Sequence, residues 1–257
     1  MVFILLLKEG IWLYGVAFEK DYVVSYYDVD YKKRVFPNRI IDYFQDIALC
    51  QSNQLETGID SLNDANLTWI LYQWDIDIYK YPMLNQKLKL RTEPNAFKKF
   101  NAFRTFEIYS ESGEKVANGY SKWLVFDYKK GHLVKVPSWI FQRYGIHGNE
   151  EPLNIEEPNE PEREDFKKNF TVRYSDIDTN NHANNSKYIE WAIETIPLEI
   201  IDHHILKKLK VTYKNQIKYD EEFTVITEIT HNEEKVLCRH KIINNEKISC
   251  ILETMWV

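Results

Sequence analysis

Twice along the chain an apolar pattern of period 3.6 gives way to one of period 2. The first helical stretch places Ile40, Phe44, Ile47, Gln51 and Leu55 at three- and four-residue steps, with Ile41 and Ala48 widening the stripe. The second offers Tyr188, Ile189, Ala192, Ile193 and Ile196, and Pro197 marks its end or a kink. Asn184 and Asn185 stand at its head, where a side-chain oxygen caps the free amides of a helix. After each helix come β-branched and aromatic runs, at 69–78, 87–91, 102–108 and 122–126, then at 209–213, 223–227, 236–242 and 248–252. Turn residues at Ser112-Gly113-Glu114 and Asn244-Asn245 predict hairpins between them. Each half therefore reads as a short strand, a long helix and about four antiparallel strands. A single helix buries its apolar faces only if the sheet curls around it, so the predicted class is α+β.

The halves are copies. At an offset of 148 residues, Val24-Ser25-Tyr26-Tyr27-Asp28-Val29-Asp30 lies over Val172-Arg173-Tyr174-Ser175-Asp176-Ile177-Asp178, and Ile41-Asp42-Tyr43 over Ile189-Glu190-Trp191. Each copy passes from a strand ending in D-x-D, through a polar turn, into its helix. Two copies at this period mean a duplicated domain and not a solenoid. The reading is an N-terminal unit over 1–144, a linker over 145–169 and a C-terminal unit over 170–257.

Composition sharpens this picture in three places. At 257 residues the chain can bury roughly 70–75% of its unfolded surface, so its core needs no disulfide or structural metal. Cys50, Cys238 and Cys250 have no CxxC spacing and read as buried thiols of a reducing compartment. The net charge of −6 argues against binding a phosphate backbone, and it is not evenly spread. Residues 150–165 hold eight carboxylates and one cation, Arg163, leaving 31 acidic and 32 basic residues elsewhere. The acidity thus belongs to a Pro-interrupted linker that crosses the surface. The run Met1-Val2-Phe3-Ile4-Leu5-Leu6-Leu7 is too short for a bilayer and lacks the basic start and small-residue cleavage site of a signal peptide. It reads as an extra strand or an overlong start, and a cytoplasmic location is expected.

Chemistry concentrates in the second turn, Asp176-Ile177-Asp178-Thr179-Asn180-Asn181-His182-Ala183-Asn184-Asn185. The first copy keeps D-x-D but has Lys32 for Asn180, Arg34 for His182 and Phe36 for Asn184. Whatever D-x-D does for the fold is needed twice, whereas Asn180 and His182 are needed once. A carboxylate, an amide and an imidazole at alternating positions of an extended turn project together as base, orienting donor and proton shuttle. Asn and Asp also build turns and caps, which is the competing structural reading. His203-His204 reads as a cationic helix end and not a metal site. The basic doublets such as Lys32-Lys33, Lys129-Lys130 and Lys207-Lys208 read as solvated faces that could also meet an acidic partner. Trp69, Trp74, Phe103, Phe106 and Trp123 read as core, with some free to line an acyl tunnel.

The string D-x-D-x-N-x-H-x-N-N from Asp176 to Asn185, followed by Lys187-Tyr188-Ile189-Glu190-Trp191, resembles the fatty acyl-acyl carrier protein thioesterases of plants and bacteria. The resemblance runs from about Phe18 to the end. It implies two tandem hotdog folds, each a long helix wrapped by a curved antiparallel sheet, with the acyl cavity in the first copy and catalysis in the second. It also implies an acyl carrier protein bearing an acyl-phosphopantetheine as partner, neither nucleic acid nor membrane, no cofactor or metal, and room for a homodimer. The family's Asp, Asn and His fall on Asp178, Asn180 and His182. Its Glu-Cys pair falls on Gln216 and Ile217, so a thiolate nucleophile there is impossible and Gln216 can only hold water or carbonyl by hydrogen bonds. Asp220, Glu221 and Glu222 are the nearest carboxylates. The expected reaction is thioester hydrolysis, with Asp178 as general base or nucleophile. An acyl-CoA thioesterase and a non-catalytic acyl-binding hotdog protein are the alternatives.

Overall fold

The computed structural model describes residues 17–146 and 150–257, so the apolar N-terminal run read as an extra strand or overlong start, and the linker residues 147–149, lie outside the described residues. The first half runs β1 (Phe18–Val23), α1 (Pro37–Gln54), α2 (Ile59–Asp64), β2 (Leu67–Ile78), β3 (Lys87–Lys98), β4 (Asn101–Ser110), β5 (Lys115–Asp127), β6 (His132–Val134) and α3 (Ser138–Arg143). The second runs β7 (Phe166–Thr171), α4 (Asn185–Ile193), α5 (Leu198–His203), β8 (Leu206–Tyr213), β9 (Glu222–Asn232), β10 (Lys235–Asn244) and β11 (Lys247–Trp256). All strands join one antiparallel sheet in the order β1-β3-β4-β5-β2-β8-β11-β10-β9-β7, with β6 on β5. Read from either end the order repeats, and β2 pairs with β8 from Gln73 opposite Thr212 to Asp77 opposite Lys208. Lys208 Nζ closes that seam on Asp75 at 2.6 Å and Asp77 at 2.9 Å.

The sheet curls around the helices as their apolar stripes require. Ile40, Ile41, Phe44 and Ile47 of α1 are fully buried, and Phe44 packs on Trp74 and Phe106 with centroids 5.7 and 5.0 Å away. Each such side chain contributes about 1.5–3 kcal/mol of burial. Gly119 of β5 lets Phe44 approach, since a Cβ there would lie 2.7 Å from Phe44 Cε2. In the second half Tyr188, Ile189, Trp191 and Ala192 of α4 are buried, with Trp191 4.3 Å from Phe223. One hydrophobic cluster spans both halves, and a second under α2 and α3 joins Leu62, Phe97, Val125, Ile140 and Tyr144.

Two details differ from the sequence reading. The opening strands stop at Val23 and Thr171, and the first Asp of each D-x-D closes a 3-10 turn, Tyr26–Asp28 and Tyr174–Asp176. The carboxylates of Asp28 and Asp176 accept the amides of Ser25 and Arg173 and so cap those turns. The second helix is half as long as the first, 9 residues against 18, because Pro197 lacks an amide hydrogen and the chain restarts as α5. Asn184 caps α4 by accepting from the amide of Ser186 at 3.0 Å.

The acidic segment is a strap across the outer face of the second half. Gln73 Nε2 donates to the carbonyl of Glu156 at 2.9 Å, Glu156 pairs with Lys210, and Glu160 with Lys214 and Lys241. Arg163 binds Glu228, and β7 already begins at Phe166, inside the stretch read as linker. Among the described residues no helix is long and apolar enough to cross a membrane.

Candidate active site

The turn after Asp176 is held by its own backbone. Asp178 N–H donates to the His182 carbonyl at 2.9 Å, Asn181 takes a positive φ of 61°, and Ile177 bridges Ala183. Asp178 Oδ1 accepts the amide of Asn180 at 2.8 Å, which fixes the carboxylate, while Oδ2 has no protein partner among the described residues. Beneath it, Asp176 is 1% exposed. Burial alone would raise its carboxyl, but hydrogen bonds from Arg173 and the charges of Arg173 and Lys187 hold it below the ordinary value. It is a structural anion, whereas the second Asp keeps one carboxylate oxygen free of protein partners among the described residues.

The strand after the helix is pinned against this turn. Ala183 N–H donates to the carbonyl of Ile217 at 2.9 Å, Ile217 N–H to Tyr188 Oη at 3.0 Å, and Tyr213 Oη to the carbonyl of Asn185 at 2.9 Å. These bonds bring Gln216 to the turn. Asp178, Asn180, His182 and Gln216 line one small pocket of about 80 Å³ with Tyr188, Tyr213 and Asn185. Asp220, Glu221 and Glu222 do not line it. His182 Nδ1 is buried there without a protein hydrogen-bond partner among the described residues. Ile217 is fully buried, as its position opposite Gln216 on an extended segment requires.

Trp69, Leu71, Asp178, Asn180 and Asn185 also line a second, larger cavity of about 700 Å³. The two cavities therefore lie side by side, with these five residues between them. Ile177, Thr179 and Asn184 extend the second half's share of the larger cavity's wall, and most of the remainder comes from the first half: Ala48, Leu49, Leu62, Phe97, Phe103 and Trp123 among the apolar groups. Of the aromatics singled out in the sequence, Trp69, Phe103 and Trp123 face this cavity, while Trp74 and Phe106 are core. The volume lies in the range of sites that enclose a small organic ligand. No group of three metal-ligating side chains converges among the described residues.

Residues 15–144 match the acyl-ACP thioesterase N-terminal domain and residues 159–257 the acyl-ACP thioesterase C-terminal domain. The chain belongs to the acyl-ACP thioesterase family. It is 25% identical over 234 residues to oleoyl-acyl carrier protein thioesterase 1, chloroplastic, of Arabidopsis thaliana, covering 84% of this chain and 65% of that protein. With the palmitoyl-acyl carrier protein thioesterase of Gossypium hirsutum, also chloroplastic, the identity is 24%, over 84% of this chain and 56% of that one. The chain thus spans under two thirds of the length of these plant proteins. The crystal structure of a Lactobacillus plantarum protein described as an oleoyl thioesterase superposes with a TM-score of 0.91 at 24% identity, over 94% of this chain and 96% of that chain. The 12:0-ACP thioesterase from Umbellularia californica gives 0.81 at 18%, over 94% of each. The tandem hotdog fold is shared with both.

Within this acyl-ACP thioesterase fold the first copy's turn repeats the backbone bonds of the second, then closes. Asp30 Oδ1 accepts the amide of Lys32 at 2.8 Å, and Lys33 has φ 64°. But Arg34 Nε and Nη2 grip Asp30 Oδ2 at 2.9 and 2.8 Å, and Arg34 stacks over Tyr81. The oxygen that is open on Asp178 is locked on Asp30. Sequence reasoning missed Tyr188 and Tyr213 as site walls. Tyr188 was legible only as a helix-stripe residue, and burial pushes both phenols up, so they serve as neutral hydrogen-bonding groups.

Proposed function

We propose that the chain hydrolyses the thioester between a fatty acyl group and acyl carrier protein, releasing free fatty acid and the carrier thiol. The observation that carries this reading is the junction at Asp178. A turn of the second half and a segment 34 residues further on converge on one polar pocket, and that pocket shares Trp69, Leu71, Asp178, Asn180 and Asn185 with a larger cavity lined mostly by the first half. A thioester seated at the junction has its alkyl chain in the cavity and its carbonyl among Asp178, Asn180, His182 and Gln216.

In the reaction, Asp178 Oδ2 takes a proton from a water that Gln216 and His182 orient. The water oxygen bonds to the carbonyl carbon and the carbonyl electrons move onto oxygen. The Asn180 amide, or a backbone N–H of the first turn of α4, donates to that oxyanion. Collapse breaks the C–S bond, the departing thiolate takes a proton from His182, and the proton held by Asp178 then passes through water to His182, so that both residues return to their starting state. In the second form of the scheme Asp178 attacks the carbonyl carbon itself, and water opens the resulting anhydride. Rapid-quench mass spectrometry of the protein during turnover separates the two, because only the second adds the mass of the acyl group to Asp178.

General-base assistance is worth about 10²–10⁴-fold. Asp178→Asn and His182→Ala should each lose that much kcat/KM on an acyl-carrier substrate while keeping the wild-type unfolding midpoint. Near wild-type turnover in either variant would remove that residue from the mechanism. Running the same acyl chain on carrier protein and on CoA decides the thiol partner. A cytoplasmic setting belongs to this proposal and is supported by Cys50, Cys238 and Cys250, all free thiols.

A further inference from the structure

Arg104 of β4 is 8% exposed and lines the large cavity. Its Nη1 donates to Gln51 Oε1 and, at 3.1 Å, to Thr92 Oγ1, and its guanidinium stacks 5.2 Å over Tyr144. Tyr144 is fixed in turn by a 2.6 Å hydrogen bond with Ser52 Oγ. All of these partners are neutral, and among the described residues no carboxylate pairs with Arg104. A guanidinium offers five N–H donors, more than these acceptors take. A buried cation without an anion is unfavourable unless something completes it.

The remaining charged side chains that line the cavity are Asp42, Asp46 and Asp178, all carboxylates. Asp46 is paired with Lys20 and Asp42 with Arg39, so Arg104 is the one cation lining the cavity that no carboxylate of the described residues neutralises. We infer that Arg104 is the binding site for the carboxylate of a long-chain fatty acid, held with its carboxylate against the guanidinium and its alkyl chain along Phe97, Phe103 and Trp123. This orientation is the reverse of that of an acyl thioester, whose carbonyl sits at Asp178. A free acid so bound blocks the cavity, so the product of the proposed hydrolysis inhibits it. That consequence rests on the proposed function; the binding itself does not.

Trp69 and Trp123 line the cavity and give a fluorescence readout. Titration of the whole protein with dodecanoate and with dodecanol at neutral pH should show the acid binding about tenfold or more tightly, the worth of a charged hydrogen-bonded pair. Arg104→Met should bring the two ligands to parity, and Arg104→Lys should keep part of the preference. Equal binding of acid and alcohol to the wild type overturns the inference whether or not the variants fold, and so does a preference that survives in Arg104→Met. A carboxylate at the far end of an acyl chain would present the same chemistry. Comparing hydrolysis of dodecanoyl and dodecanedioyl groups on carrier protein distinguishes this source: a wild-type preference for the second, lost in Arg104→Met, assigns Arg104 to substrate and overturns the product assignment. Inhibition of hydrolysis by dodecanoate should weaken in Arg104→Met by the same factor as binding. Absence of any hydrolysis would remove the proposed function and leave the binding result standing.

Discussion

His240 gives the fold a pH dependence that can be worked out from its surroundings. It lies on β10 with no exposed surface, its Nδ1 2.8 Å from Thr227 Oγ1 and its Nε2 3.4 Å from Thr254 Oγ1. Thr227 also bonds Thr195 just beyond α4, so the imidazole belongs to a chain of neutral groups tying sheet to helix. Burial pushes its pKa down to about 3 from 6.5. Between those values the unfolded chain holds a proton that the native protein excludes, so stability falls as pH drops below 6.5 and the loss ends near 3. The slope is about 1.4 kcal/mol per pH unit, or about 2 kcal/mol between pH 6.5 and about pH 5. Asp28 and Asp176, whose carboxyls are held low, add their own loss only as pH falls below the ordinary carboxylate value of 3.8. Urea unfolding of wild type and His240→Gln across this range measures the difference. The variant keeps a hydrogen-bonding side chain without a titrating one, and its slope should be smaller by the stated amount. Equal slopes, or the His240 imidazole resonance titrating near 6.5 in the folded protein, would refute the reasoning.

Three further outcomes follow from the packing and the site. Gln216→Ala removes one neutral hydrogen bond to water or carbonyl, about 1 kcal/mol, and should lower kcat/KM by several-fold to about tenfold, well short of the loss at Asp178. Gly119→Ala forces a Cβ to 2.7 Å from Phe44 and should cost about 1–3 kcal/mol in urea unfolding. Arg34→Met leaves Asp30 without its cation and should cost about 1.5–3 kcal/mol, read by the same assay, without adding hydrolysis at the first turn.

The duplication was legible because the residues that build each turn recur at a fixed offset: Asp28 with Asp176 and Asp30 with Asp178 share their hydrogen bonds. The helix starts were legible from the apolar stripes and from Asn184. The length of the second helix was not, because Ile193 and Ile196 continue a helical spacing across a turn that only Pro197 interrupts. Asp178, Asn180 and His182 could be grouped from alternation along one extended turn. Gln216 needed the resemblance, since its approach depends on the Ala183–Ile217 bond, which no local pattern encodes. Arg104 was invisible for a different reason. On an alternating strand a single basic residue looks the same whether it faces water or a cavity.

The acidic strap also sets an order in time. Besides Gln73, the groups that hold residues 156–165 include Lys210, Lys214, Glu228, Ile229, Lys241 and Glu253, later in the chain and drawn from the strands and turns of the second half. During synthesis the strap emerges before any of them exists. Gln73 of β2 is the one of these partners made earlier, so the strap's ion pairs with Lys210, Lys214 and Lys241 form only once the second-half strands are in place. Full docking of the strap therefore waits on the second half, and a protease that cuts within 150–165 would read out, during refolding, when those ion pairs form.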